Sequence, residues 1–243
     1  MVGVGSVLLV AGALASVRVV PEQAAAASNP LQAAAAANVH LRAVAPAERR
    51  RIDYARLDSR LKRMAEEPTI VGMAVGVIEN GRITFLGGYG ETLEGSGEKV
   101  TAETVFRWAS VSKGVASTMV AKLAEQGKVK LNAPVAAYAP SLKLPAGYER
   151  SATVTDLLSH RLGLYRNALD NKLEEGLPPS LLRGELASLN AICAPGTCWS
   201  YQNIAYDAAS EIVARETGMP YEQAVQQQLF HPIGMNSASM TRE

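Results

Sequence analysis

The stretch WASVSKGVASTMVAKLAEQG, residues 108–127, constrains the fold of this chain more than any other segment. Its larger apolar residues recur at the spacing of a helix turn, and Ala and Gly fill much of the remainder; the larger ones are Val111, Val115, Met119, Val120 and Leu123. Gly127 is a typical helix terminator, so the pattern predicts a helix that closes there. A helix that is apolar nearly all round is expected to be buried. With 243 residues, the chain is long enough to surround it, because about 70–75% of the unfolded surface is buried at this size.

The other patterned segments predict one β-hairpin and further helices. Two β-like runs in TIVGMAVGVIENGRITFLGGYG, residues 69–90, are joined by Asn80-Gly81, the strongest short hairpin signal. Helical patterns cover about residues 47–66, residues 155–163, a segment that ends at Gly218, and residues 220–230. Ile52, Leu57, Leu61 and Met64 form the apolar face of the first, and Ile204, Ala208, Ile212 and Val213 that of the third. The layout is α+β or α/β.

The N-terminal region differs from the rest of the chain in composition. The first seventeen residues carry no charged side chain, and small residues suited to cleavage follow them. We expect residues 1–27 to be a signal peptide or an uncleaved membrane anchor. The basic residues that usually begin a signal peptide are absent, so a misassigned start codon is the alternative. Residues 28–47 are rich in Ala and predict a flexible linker, followed by the folded domain at residues 48–243. Export predicts a location in the periplasm or cell envelope, with membrane attachment if the first segment is retained.

The charge distribution argues against one class of partner. Lys and Arg number 24 and Asp and Glu 23, and no basic stripe with interleaved aromatic residues occurs. No nucleic-acid partner is therefore expected. The sequence also lacks a Walker loop and a Gly-rich dinucleotide motif, so no cofactor is expected.

The two cysteines, Cys193 and Cys198, bracket a Pro-Gly turn. Such a turn can bring their Cα atoms within disulfide range, which suits an oxidising compartment. Two small buried thiols are the alternative. No metal site is expected, because the chain has no further Cys and its three His are scattered.

A Ser-x-x-Lys pattern occurs three times, and only its setting distinguishes the copies. The copy at Ser59 lies in a strongly charged helix and the copy at Ser96 in a flexible loop, so we interpret both as chance. Ser110 lies where the predicted buried helix begins, and helix N-termini stabilise negative charge on an alkoxide or an oxyanion. Lys113 follows one turn along the same face, so its amine can reach the Ser110 oxygen. The alternative is a capping serine beside a lysine that extends to solvent.

Other schemes for an activated serine find less support. No Gly-x-Ser-x-Gly occurs, so the nucleophile elbow of the common esterase fold is absent. His160, in LLSHRLGL, fits a structural residue at a helix end better than the base of a triad.

Several motifs, taken in order from about residue 69 to residue 235, resemble one family. TVFRWASVSKGVASTMVAKLAEQGKVKLNAPV, residues 104–135, is similar to the active-serine segment of the class C β-lactamase-type serine hydrolases, which include penicillin-binding DD-peptidases and related esterases. PGTCWSYQN resembles the family's Tyr-x-Asn signature after a Pro-Gly turn, with Tyr201 and Asn203. VTDLLSHRLGL resembles a helix ending in His-Thr-Ser-Gly-Leu, with Arg161 and Leu162 in place of the small polar pair, and LFHPIGM resembles Phe-x-Pro-Leu-Gly-Met. A second Tyr-x-Asn, at residues 165–167, lacks this context and is given no role.

The resemblance implies a fold and a mechanism. The fold is that of the β-lactamases and penicillin-binding proteins, an α/β layout with a helical subdomain. Ser110 forms an acyl-enzyme with a β-lactam, a D-Ala-D-Ala peptide or an ester, so the expected partner is a small or peptidoglycan-like acyl substrate. Lys113 and Tyr201 share the proton transfers, with the choice of general base left open, and Asn203 orients Lys113 and the substrate.

One family motif is not found. A Lys- or His-x-Gly on a late β-strand is expected after Met235, whereas the sequence ends at Glu243. We therefore expect an incomplete fold that lacks the C-terminal strands and is weakly active or inactive, since one lost oxyanion donor costs about 2.7–4 kcal/mol. The alternatives are a non-catalytic ligand-binding module of the cell envelope and an inactive fragment of such an enzyme.

Overall fold

The computed structural model describes residues 52–240, which divide into two compact units at residues 107 and 108. The predicted signal or anchor segment at 1–27 and the predicted linker at 28–47 lie outside the described residues. None of the helices within the described range has the length and hydropathy needed to cross a bilayer.

The first unit contains a helix and a two-stranded antiparallel hairpin. These are helix α1 (Tyr54–Met64) and strands β1 (Gly72–Glu79) and β2 (Arg82–Gly90). Asn80 and Gly81 both adopt left-handed conformations, with φ of 53° and 74°, as a two-residue hairpin turn of this type requires. The predicted hairpin is confirmed.

Helix α1 is shorter than the sequence pattern predicted. It begins after Asp53, whose carboxylate accepts a 2.9 Å hydrogen bond from the Arg56 N–H and so caps the first turn. Ile52 precedes this cap and is 37% exposed, so its assignment to the apolar face was wrong. Leu61 is buried against one face of the hairpin, where it meets Met73 and other apolar residues.

The second unit is helical. Its α-helices are α2 (Ser112–Glu125), α3 (Val154–Leu158), α4 (Asp170–Glu174), α5 (Pro179–Glu185), α6 (Ala208–Thr217) and α7 (Tyr221–Val225). The predicted helix over 220–230 changes character after α7, because residues Gln226–Phe230 form a π-helical turn. Helices α4 and α5 had not been predicted, since five to seven residues are too few to display an apolar period.

One face of helix α2 packs into the core of this unit, and the opposite face is exposed. Val115, Met119 and Leu123 are at most 8% exposed and join a core that includes the apolar face of α6, where Ile212 is fully buried. The expected burial on all sides was wrong, because Val111 is 51% exposed and the small residues at 114, 118 and 121 are also exposed. Small side chains add little apolar area, so their exposure carries a small hydrophobic penalty.

Candidate active site

Ser110 lies in a tight turn that leads into α2. Residues Ala109–Val111 form this single 3₁₀ turn, and Ser110 is exposed. Ala109 has a left-handed backbone with φ of 46°, a conformation that costs a non-glycine residue about 1–3 kcal/mol and that concentrates at functional sites. The Ser112 hydroxyl donates a 2.7 Å hydrogen bond to the Ala109 carbonyl and closes the turn. The turn therefore holds Ser110 at the open end of a helix.

The structure brings all four predicted site residues together. The Tyr201 hydroxyl donates to Ser110 Oγ at 2.7 Å, and Lys113 Nζ donates to the same oxygen at 3.3 Å. Lys113 Nζ also donates to Asn203 Oδ1 at 2.6 Å and lies 4.8 Å from the centre of the Tyr201 ring. Two groups able to exchange a proton thus meet at the serine oxygen.

The other two Ser-x-x-Lys copies have a different geometry. Lys62 pairs with Asp58 at 2.7 Å, and the Ser59 hydroxyl donates to a backbone carbonyl of its own helix at 2.8 Å. In the remaining copy, Lys99 pairs with Glu91 at 2.9 Å. In both copies the lysine amine is engaged by a carboxylate.

The segment that carries Tyr201 is held by its backbone at three successive residues. The N–H of Ser200 donates to the His160 carbonyl at 2.9 Å, and the N–H of Gln202 donates to His160 Nδ1 at 3.1 Å. The Tyr201 carbonyl accepts from the Asn167 N–H at 2.9 Å. The phenol is therefore positioned by residues that lie far away in the sequence.

A disulfide closes the loop just before this segment. Cys193 and Cys198 are bonded, with their Cα atoms 6.2 Å apart. The loop lies directly on Gly163, where an added Cβ would come within 2.2 Å of the Cys193 carbonyl oxygen. Gly163 also has φ of 80°, so both its conformation and its close contact require glycine.

His160 packs between the aromatic side chains of the site. Its ring centre lies 4.5 Å from that of Tyr201, 4.9 Å from that of Tyr206 and 6.3 Å from that of Trp199. Burial, together with the nearby Lys113 charge, lowers the pKa of the imidazole. A neutral ring whose Nδ1 accepts from the backbone fits the structural role expected from the sequence.

The environment of Tyr201 favours its ionised form. Burial raises the pKa of the phenol, but the interactions with Lys113 and Ser110 and the Lys113 charge together outweigh burial, so the pKa falls below its ordinary value of 10.0. A general base is more effective when its pKa lies nearer the working pH.

Sequence reasoning missed Asp170, the first residue of α4. Its Oδ2 accepts a 2.6 Å hydrogen bond from Asn203 Nδ2. The second Tyr-x-Asn, which had been given no role, lies just before Asp170 and binds the segment that carries Tyr201. The Asn167 N–H donates to the Tyr201 carbonyl, and the Tyr165 carbonyl accepts from Gln202 Nε2 at 2.5 Å. This second copy of the motif was the sequence signal that pointed to the region of Asp170.

A cavity of about 230 Å³ lies beside Lys113 and Asn203. Apolar side chains form much of its wall, including Leu173, Ile204 and Tyr221. Within residues 52–240, no three His, Cys, Asp or Glu side chains come close enough together to hold a metal ion.

Comparisons with known proteins identify chains that are similar to this one. Residues 57–243 match the family model named Beta-lactamase. The D-alanyl-D-alanine-carboxypeptidase/endopeptidase AmpH of Escherichia coli (strain K12) is 32% identical over 175 residues, which cover 70% of this chain and 45% of that protein. Esterase EstB of Burkholderia gladioli is 31% identical over 198 residues, which cover 74% of this chain and 50% of that protein. The chain spans about half the length of the relatives it matches.

Solved structures show the same architecture. The octameric penicillin-binding protein homologue from Pyrococcus abyssi superimposes with a TM-score of 0.68 at 25% identity, over 76% of this chain and 44% of that one. The fold expected from the sequence motifs is confirmed.

Proposed function

The chain belongs to the beta-lactamase family, and we propose that it acts as a serine hydrolase in which Ser110 forms an acyl-enzyme. The observation that carries this proposal is the convergence of two groups on one oxygen. The Tyr201 hydroxyl and Lys113 Nζ lie 2.7 and 3.3 Å from Ser110 Oγ. A nucleophilic serine needs such a neighbour to take its proton.

In the first half-reaction, Tyr201 acts as the phenolate: Ser110 Oγ attacks the acyl carbonyl carbon while the serine proton passes to the phenolate oxygen. We assign the phenol as the base for two reasons. Its pKa is lowered, and its oxygen lies closer to Ser110 Oγ than Lys113 Nζ does. Lys113 stabilises the phenolate by its charge. The proton then passes to the leaving group as the bond between that group and the acyl carbon breaks.

In the second half-reaction, water attacks the acyl-enzyme. The bond between Ser110 Oγ and the acyl carbon breaks, and the serine recovers a proton from the base that activated the water. We assign the Ser110 N–H, in the 3₁₀ turn that leads into α2, as a donor to the developing oxyanion.

The names of the relatives support the substrate class that we propose. The names of the similar proteins describe a D-alanyl-D-alanine carboxypeptidase and an esterase. We assign to this chain an acyl substrate of that range: a D-Ala-D-Ala peptide, a β-lactam or an ester.

The proposed location is the periplasm or cell envelope. Two observations support it: the uncharged, small and apolar composition of the first seventeen residues, and the disulfide between Cys193 and Cys198. Disulfides persist in oxidising compartments outside the cytosol.

The test is covalent labelling of the purified full chain with a fluorophosphonate and with benzylpenicillin, followed by intact-mass and peptide-mapping mass spectrometry. We expect one adduct, on Ser110, which is lost in Ser110→Ala. Ser59→Ala is the matched control, because it removes the serine of another Ser-x-x-Lys copy and should leave labelling unchanged.

Release of product distinguishes the hydrolase from a binding module. Hydrolysis of an activated ester, abolished in Ser110→Ala, supports the hydrolase. A permanent adduct without turnover points to the non-catalytic module. Equal labelling of the wild type and Ser110→Ala contradicts the assignment of the nucleophile.

A further inference from the structure

We propose that Asp170 is a positioning residue that fixes the side-chain amide of Asn203 with its oxygen toward Lys113; this role rests on the function proposed above for the same site. Asp170 Oδ2 accepts from Asn203 Nδ2 at 2.6 Å, and Asn203 Oδ1 accepts from Lys113 Nζ at 2.6 Å. The three side chains form one directed chain of hydrogen bonds that ends at Ser110 Oγ.

The chemistry of the two neighbours determines the orientation of the amide. A carboxylate only accepts hydrogen bonds, and an ammonium group only donates them. If the Asn203 amide turned over, its NH₂ would face the Lys113 amine, donor to donor, and its oxygen would face the Asp170 carboxylate, acceptor to acceptor. Asp170 therefore selects the orientation in which Asn203 can hold Lys113.

Two features of the local structure around Asp170 are energetically unfavourable. Its Oδ1 is buried and has no hydrogen-bond partner among the described residues, which is unfavourable for a polar oxygen. The preceding loop contains two left-handed non-glycine residues, Asn167 with φ of 54° and Leu169 with φ of 63°. Despite these unfavourable features, the loop positions Asp170 so that its Oδ2 accepts the hydrogen bond from Asn203.

The same short helix provides a matched control. Lys172 lies two residues beyond Asp170 on α4 and pairs with Glu185 at 2.5 Å. Lys172→Ala therefore loosens α4 without removing the contact to Asn203. Asp170→Asn keeps an accepting oxygen of the same shape, whereas Asp170→Ala removes it.

Two measurements on the full chain test the role. The first is the ¹H–¹⁵N NMR signal of the Asn203 side-chain NH₂, assigned with Asn203→Ala, which reports the hydrogen bond to the carboxylate directly. The second is the rate at which a fluorophosphonate labels Ser110. Asp170→Ala should shift the amide signal and slow labelling about 10- to 100-fold, because small displacements of positioned groups have effects of this size. Asp170→Asn should restore part of the rate, and Lys172→Ala should change neither measurement.

A double-variant comparison separates positioning from general damage. If Asp170 acts through Asn203, Asp170→Ala should have no further effect on labelling in the Asn203→Ala background. An equal effect in both backgrounds, or an unchanged Asn203 amide signal in Asp170→Ala, overturns the proposal. If wild-type Ser110 is not labelled, the hydrolase function fails, and the amide signal alone then decides whether Asp170 orients Asn203.

Discussion

Replacing Arg183 with Met should destabilise the helical unit by about 3 kcal/mol. Arg183, on α5, is 7% exposed, and its guanidinium contacts two carboxylates near the start of α6. It pairs with Asp207 and lies 3.6 Å from Glu211, and its Nε donates to Ser141 Oγ at 2.7 Å. The buried Arg183 guanidinium thus joins α5, α6 and the segment that contains Ser141.

The magnitude follows from what the substitution leaves behind. Met retains the aliphatic volume but has no donor, so Asp207 and Glu211 lose their shared counter-charge. Removing one partner of a buried ion pair costs about 3–5 kcal/mol. The lower end applies here because the Asp207 side chain is 38% exposed and water can solvate part of it.

The unfolding free energy lost in Arg183→Met should depend on pH in a defined direction. Burial raises the pKa of Asp207, while the Arg183 charge opposes that rise. A carboxyl with a raised pKa in the folded state contributes an unfavourable term that grows as pH increases through this pKa. Without Arg183 the pKa should rise further, so the stability deficit of the variant should be smaller at about pH 5 than at about pH 7.

Urea unfolding followed by tryptophan fluorescence measures this deficit. Both tryptophans of the chain, Trp108 and Trp199, belong to the helical unit, so the assay reports on that unit. Lys172→Ala, which breaks the partly exposed pair with Glu185, is the control and should cost less than about 1 kcal/mol. An unchanged midpoint in Arg183→Met, or a deficit that grows in acid, would refute the reasoning.

Three further predictions concern the proposed catalytic groups and the loop before them. Tyr201→Phe should preserve the urea midpoint and slow fluorophosphonate labelling of Ser110 about 10²- to 10⁴-fold; equal rates would exclude the phenol as base. Because the pKa of Tyr201 is lowered, wild-type labelling should rise with pH and level off below pH 10.0, and a rise that continues beyond that value would argue against it. The double variant Cys193→Ala/Cys198→Ala should lower unfolding free energy by about 2 kcal/mol, because the disulfide spans a sequence separation of only 5. A midpoint equal to that of wild type would show that the crosslink does not constrain the unfolded chain.

Local patterns in the sequence were sufficient for two features in which backbone geometry sets the outcome. The Asn80-Gly81 turn specified the hairpin because both residues tolerate left-handed conformations. The spacing of Ser110 and Lys113 placed them on one face because a helix turn returns after three or four residues. The family resemblance added Tyr201 and Asn203, whose proximity to Ser110 no local rule could supply.

Tertiary structure alone decided the contacts that support these groups. Asp170 meets Asn203 across 33 residues, and His160 meets the Gln202 N–H across 42. Such pairs form because the intervening helices pack in one arrangement, and a sequence period records which face of a helix is apolar but not which residues lie opposite it. Val111 illustrates the same limit, since it fits the apolar period of the predicted helix and yet lies in the 3₁₀ turn before α2, where it is 51% exposed. The one-turn Ser-x-x-Lys spacing is a property of a single helix, whereas the orientation of Asn203 depends on how several elements close around it.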